Sequence, residues 1–179
     1  ALLGTEPAGE RTTRYFIRKR GEDADLAADL EKARDYEWKV RARWSEGMQA
    51  KAFVRNHSLL VGQPASFDTE DAAPSAVELL LSALAGCLAV GYQWRASQRG
   101  IEVFDLEVSL RARADNILVF LDVAGEGHPG LASVEGRLFV DADADDATLE
   151  ALWEETVLKS PVAQSLLRTV DFKVQLRRA

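Results

Sequence analysis

The stretch PSAVELLLSALAGCLAVGYQWR, residues 74–95, decides how the chain is read. No charged residue falls between Leu79 and Tyr92, and the run holds the single cysteine of the chain, Cys87, among Leu, Ala, Gly, Ser and Val. That composition favours a helix apolar on nearly every side, which must be buried. Ser75 suits an N-cap, and Glu78 stands three residues later at capping-box spacing. Gly100 ends the helix after Arg99. A membrane span needs about 20 predominantly apolar residues. Glu78 and Arg95 flank this shorter run closely, so the expectation is a core helix of a water-soluble protein with no membrane partner.

Upstream of the helix the period is two. Tyr36, Trp38, Val40, Ala42 and Trp44 alternate with Glu37, Lys39, Arg41 and Arg43, which predicts a half-buried strand. The turn residues Ser45-Glu46-Gly47 lead into a second alternation, Met48, Ala50, Ala52 and Val54 against Gln49, Lys51, Phe53 and Arg55, and so into a β-hairpin. Asn56-His57 turns the chain into a strand over 58–61.

Downstream, strand-like runs cover 103–112, 117–123 and 134–140, with a tight connection at 114–116 and an exposed turn holding His128 at 125–130. Leu149, Leu152, Trp153, Thr156 and Val157 share one face of a helix, after an acidic run at 141–146 that serves capping and solvation. Read as an EF-hand, that run has Asp146 and Leu152 where glycine and glutamate are needed. Ser160-Pro161 opens another helix, with Ser as N-cap and Pro at its first position. A last strand, 171–177, alternates Phe172, Val174 and Leu176 with charge. Strands, one long buried helix, strands, two short helices and a strand make an α+β domain over 36–179. Residues 1–35 form an N-terminal extension: no apolar period over 1–13, an edge strand or a solvated arm over 14–20, and a modest amphipathic helix over 25–34.

With 179 residues, 47% of them hydrophobic and 28% charged, the chain is expected to fold as one globular domain. Its net charge of −7, with 22 basic residues spread along the sequence, disfavours nucleic acid as a partner. One cysteine forms no intrachain disulfide and the N-terminus shows no signal-peptide pattern, so the expected compartment is cytoplasmic. No cofactor motif is present. Cys87, His57 and His128 lack the spacing of a zinc site, and no metal is expected. Cys87 itself reads either as a small buried hydrophobe, its thiolate disfavoured by burial, or as a functional thiol.

Three segments decide between those readings: P-S-x-x-E-L-L-L-x-A-L-A-x-C-L-A over 74–89, R-G-I-x-V over 99–103 and x-S-P-V over 159–162. Together with the order of elements, they resemble the OsmC/Ohr family over 36–179. The resemblance implies an OsmC-like fold, with antiparallel strands around a central buried helix that bears the cysteine, assembled as an intertwined homodimer. Members of the family that are enzymes reduce organic hydroperoxides: one Cys attacks the peroxide, a second resolves the sulfenic acid as a disulfide, and an Arg and a Glu activate the thiolate.

Carried over residue by residue, Cys87 matches the first cysteine, while the second is replaced by Ser160 before Pro161. Met48 stands after Gly47, where the activating Arg is expected, and Val77 stands ten residues before the cysteine, where the activating Glu is expected, with Glu78 one place later. Two functions follow. One is a one-cysteine peroxidase or redox protein using Cys87 with an external thiol reductant. The other is a catalytically degenerate dimer acting as an apolar small-molecule binding or interaction module.

Overall fold

Three antiparallel strands open the described chain, and each owes its limits to a turn. The computed structural model describes Arg34 and residues 36–67 and 70–178. The expected extension over 1–35 lies outside the described residues, Arg34 apart. The chain divides into two compact units, Ala1–Ser82 and Ala83–Ala179.

In the first unit, β1 (Arg41–Trp44), β2 (Ala50–Val54) and β3 (His57–Val61) form a sheet in the order β1-β2-β3, with Ala42 opposite Ala52 and Ala52 opposite Leu59. The first turn is held by Ser45 N–H donating to the Gln49 carbonyl at 3.1 Å, and by Trp44 Nε1–H donating to the Gly47 carbonyl at 2.9 Å. Gly47 takes a φ of +47°, a conformation without steric cost only for glycine. The second turn is Arg55-Asn56, one place before the expected Asn56-His57, and Arg55 adopts a φ of 54° so that Val54 can pair with His57.

The long first strand expected over 36–44 is shortened to β1, and it is not half-buried. Pairing begins only where β2 offers a partner, at Arg41 opposite Phe53. Tyr36, Trp38, Val40 and Trp44 are all exposed, Trp38 by 76%. Alternation supplied an apolar face, but among the described residues no layer covers it.

Beyond β3, the Gly62 N–H donates to the Pro74 carbonyl at 2.9 Å, and Gly62 bridges Ser75 in parallel sense. A Cβ at Gly62 would lie 2.7 Å from the Ala73 carbonyl oxygen, so this approach requires glycine. Ser75 then caps α1 (Ala76–Gln98). Its N–H and its hydroxyl both donate to Glu78 Oε2 at 2.7 Å, and the Glu78 N–H donates back to the hydroxyl at 3.3 Å. The capping box read from the sequence is therefore formed.

In the second unit, β4 (Val103–Ala114) pairs antiparallel with β5 (Leu131–Ala142), with Leu106 opposite Val140 and Val108 opposite Leu138. Their inward residues pack on two clusters. Val108 and Leu110 meet Leu84, Leu88 and Ala163, while Val103, Leu106, Leu138 and Val140 meet Tyr92, Ala96 and Leu152. These clusters join the hairpin to α1, to α3 (Asp146–Lys159) and to α4 (Pro161–Leu167). The stripe expected on α3 is its buried face, with Leu152 and Thr156 fully buried. The Thr156 hydroxyl donates to the Leu152 carbonyl at 2.7 Å, which satisfies it without water. Asp145 caps α3 by accepting from the Thr148 N–H at 2.8 Å.

Four further expectations are corrected. The run expected as a strand over 117–123 begins instead as a short helix, α2 (Ile117–Phe120), because the Asn116 side chain accepts from the Leu118 N–H at 3.1 Å and caps it. The expected strand over 171–177 has no regular structure, and Phe172, Val174 and Leu176 are exposed. A strand needs a ladder, and none of the described residues supplies one. Finally, α1 is not buried on nearly every side. Leu84, Leu88, Tyr92, Arg95 and Ala96 are its buried residues, while Val77 and Val90 are exposed. At 23 residues, with a mean hydropathy of 1.5 over its most apolar window, α1 is long and apolar enough to cross a membrane by length and composition, contrary to the expectation of a run too short for one. Here its buried face is spent on protein contacts and on a buried arginine.

Candidate functional site

Cys87 lies at the start of the fourth turn of α1, one place before the buried Leu88, and is half-buried. Helical periodicity puts Leu84, Cys87 and Leu88 along neighbouring rows, so the turn that carries the sulfur is anchored by leucines in the core cluster that also holds Ala163. That cluster brings the start of α4 to the cysteine. Ser160, only 3% exposed, sets its Oγ 3.1 Å from Cys87 Sγ across 73 residues of sequence.

Ser160 is fixed by the junction it occupies. It follows the last residue of α3 and precedes Pro161 at the start of α4. Its N–H donates to the Val157 carbonyl at 3.3 Å, its carbonyl accepts from the Gln164 N–H at 2.9 Å, and its hydroxyl accepts from the Ala163 N–H at 3.1 Å. The serine keeps the N-cap expected of it and stands against the sulfur.

The other residues singled out in the sequence are placed differently. Glu78 is spent on the capping box, where hydrogen bonds from the Ser75 hydroxyl and then the Ser75 N–H hold its carboxyl below the usual range. Val77 is 48% exposed. Met48 is exposed at the first hairpin turn, beside a cleft of about 450 Å³ lined also by Glu46, Gln49, Gln63, Glu70 and Asp71. The side chains named there are mostly polar or acidic, and only Met48 is a large apolar one. His57 begins β3, and His128 Nδ1 accepts from the Gly130 N–H at 3.0 Å. Among the described residues, no group of three or more His, Cys, Asp or Glu side chains is placed to hold a metal ion.

One cluster was not foreseen. Glu155 on α3 is paired with Lys159 one turn on and with Arg99, while buried Arg95 brings its Nε to 4.0 Å. Lys159 first, and Arg99 next, hold the Glu155 carboxyl down to about 2. Arg95 also donates from Nη1 to the Gly91 carbonyl at 2.8 Å, and its guanidinium lies 5.9 Å from the Trp94 ring. The i,i+4 pairs Arg95/Arg99 and Glu155/Lys159 were visible in the sequence, but their meeting was not. The cluster ties the end of α1 to α3 and leaves Arg95 committed there.

Antiparallel sheets packed with one long helix and two shorter ones define an α+β protein. A family model described as OsmC-like protein matches residues 69–175, and the chain belongs to that family. Solved structures agree on the fold. An OsmC-like protein from Mycoplasma pneumoniae is similar at 14% identity with a TM-score of 0.63, over 74% of this chain and 89% of that one. An OsmC-like protein of unknown function from Vibrio cholerae gives 13% identity and a TM-score of 0.61, over 73% and 93%. An organic hydroperoxide resistance protein OsmC from Legionella pneumophila gives 14% and 0.55, over 74% and 90%. No curated protein matches the sequence.

Proposed function

We propose that this chain is an oxidative-stress protein that reduces organic hydroperoxides through Cys87, with an external thiol in place of a second cysteine. The observation that carries the reading is the 3.1 Å approach of Ser160 Oγ to Cys87 Sγ, Ser160 being the residue for which the resemblance expects a second cysteine. Support also comes from family membership and from the hydroperoxide resistance protein of Legionella pneumophila among the structures of similar fold.

In this reading the Cys87 thiolate attacks the outer peroxide oxygen, the O–O bond breaks, and the alcohol leaves with a proton from solvent. Cys87 becomes a sulfenic acid. Serine forms no disulfide, so a small thiol attacks the sulfenic sulfur and releases water. A second thiol then displaces Cys87 as the free thiol and departs as the oxidised disulfide. The working unit is a homodimer, whose second copy covers the apolar residues Tyr36, Trp38, Val40 and Trp44 and those of the C-terminal segment, Phe172, Val174 and Leu176, all exposed in the single chain.

A second reading is favoured by Met48 and Val77 at the places of the activating groups: a catalytically degenerate dimer that binds an apolar small molecule. Exposure to an organic hydroperoxide with dimedone present separates the two. The redox reading expects one dimedone adduct on intact protein, absent in Cys87→Ala. An unchanged mass abandons it, and an apolar molecule retained in native mass spectrometry then supports the second.

A further inference from the structure

The Ser160 hydroxyl offers one proton and two lone pairs. One lone pair is taken by the Ala163 N–H at 3.1 Å, and the residue is 97% buried by its 3% exposure, which leaves water little access. Among the described residues, the remaining partner within reach is Cys87 Sγ at 3.1 Å. While the sulfur carries its proton, either group can donate. Once the sulfur is charged it is an acceptor only, and the one hydrogen bond left to the pair runs from hydroxyl to sulfur.

The neighbouring side chains Leu84, Leu88 and Ala163 are apolar, a setting in which a hydrogen bond to a charged acceptor is strengthened. The cap fixes where the donor stands. Rotation of the Ser160 side chain away from the sulfur would give up the Ala163 N–H and leave α4 without its side-chain cap, so the cap favours the rotamer that faces Cys87.

We propose that Ser160 is a positioning residue for Cys87, its hydroxyl held by the helix cap so that it donates to the sulfur in its charged form. The inference rests on the redox reading of Cys87 but concerns the state before any oxidant arrives. Ser160 thus does two things at once: it withholds the resolving sulfur and keeps the reactive one supplied with a donor.

The test is the pH profile of Cys87 alkylation by iodoacetamide, in which the sulfur displaces iodide and forms a carbon–sulfur bond. It is measured on the full chain and on Ser160→Ala, Ser160→Gly and Ser160→Thr, with thermal melting alongside. Glycine is itself a good N-cap, so Ser160→Gly removes the hydroxyl at little cost to the helix and serves if the alanine chain does not fold. Loss of the hydroxyl is expected to move the midpoint of the profile to higher pH by about one unit, the tenfold that a hydrogen bond to a charged group is worth. Threonine restores the original midpoint. A purely structural serine would lower the melting temperature of Ser160→Ala and leave the midpoint where it was, and an unchanged or lower midpoint in both alanine and glycine variants overturns the proposal. The two readings fail separately. A shifted midpoint in a chain inert to hydroperoxide keeps the pairing and ends the peroxidase. An unchanged midpoint in a chain that forms the dimedone adduct does the reverse.

Discussion

The two units of the chain spend their apolar residues differently. In the unit that begins at Ala83, Tyr92, Ala96, Leu152 and Thr156 are fully buried, and Leu84, Leu88 and Ala163 nearly so. In the unit that ends at Ser82, the described residues that are buried are small, Ala52, Ala73 and Ser75 among them, while two tryptophans stand more than 70% exposed. Burying a large apolar side chain is worth roughly 1.5–3 kcal/mol. The later unit collects that stabilisation around Leu84, Leu88, Tyr92 and Leu152 while leaving Phe172, Val174 and Leu176 exposed, and the described part of the earlier unit buries no large apolar side chain. In the proposed homodimer, these exposed aromatic residues are the ones a second chain would cover.

The sharpest test of the contrast removes a side chain from the packed unit. Leu152→Ala is expected to cost about 2–5 kcal/mol in urea unfolding, as for other large-to-small core changes; a loss below 1 kcal/mol would show that the cluster around Tyr92 and Ala96 is not the core it looks to be. The same deletion in the exposed segment before β1 should act on assembly. Trp38→Ala is expected to weaken self-association at least tenfold, roughly the effect of losing an aromatic anchor from an interface. Light scattering that finds a monomer for both proteins at micromolar concentration removes the homodimer.

Smaller effects come from the helix ends. Ser75→Ala breaks the capping box and should cost about 1 kcal/mol, read from the shift in the urea midpoint. The smallest is a pH dependence. Because the folded chain holds Glu155 near 2 against an ordinary 4.5, its contribution to stability is complete above about pH 4.5 and is lost as pH falls toward 2. Glu155→Gln should therefore melt below the wild type at pH 7, and the gap should close over that range. A constant gap would mean that the cluster works through packing and not through charge.

What could be read in the sequence was what local chemistry alone decides. Ser75 and Glu78, Ser160 and Pro161, and the face of Leu152 and Thr156 are each set by neighbours within a turn or two of helix, and each forms as its spacing implies. The candidate pair, Cys87 with Ser160, became visible through resemblance, since nothing local to either residue points across 73 positions. Two of the misreadings share one cause. Residues 36–40 and 171–177 have strand alternation, but a strand exists only with a partner, and alternation carries no information about whether one is present. Over 117–123 the apolar run Ile117 to Leu121 suited helix and strand equally, and the Asn116 cap settled it. The grouping of Arg95, Arg99 and Lys159 around Glu155 escaped for another reason: it joins the end of α1 to α3, and nothing local to either stretch points to the other.

The junction at Ser160 has no slack. One residue ends α3, caps α4 and faces the sulfur, so a single inserted residue there would turn α4 by about 100° and carry the hydroxyl off its mark. The connection between β4 and β5, residues 115–130, has no such duty. Length change through descent or engineering can therefore be absorbed at the hairpin, while the α3–α4 joint is fixed to the residue.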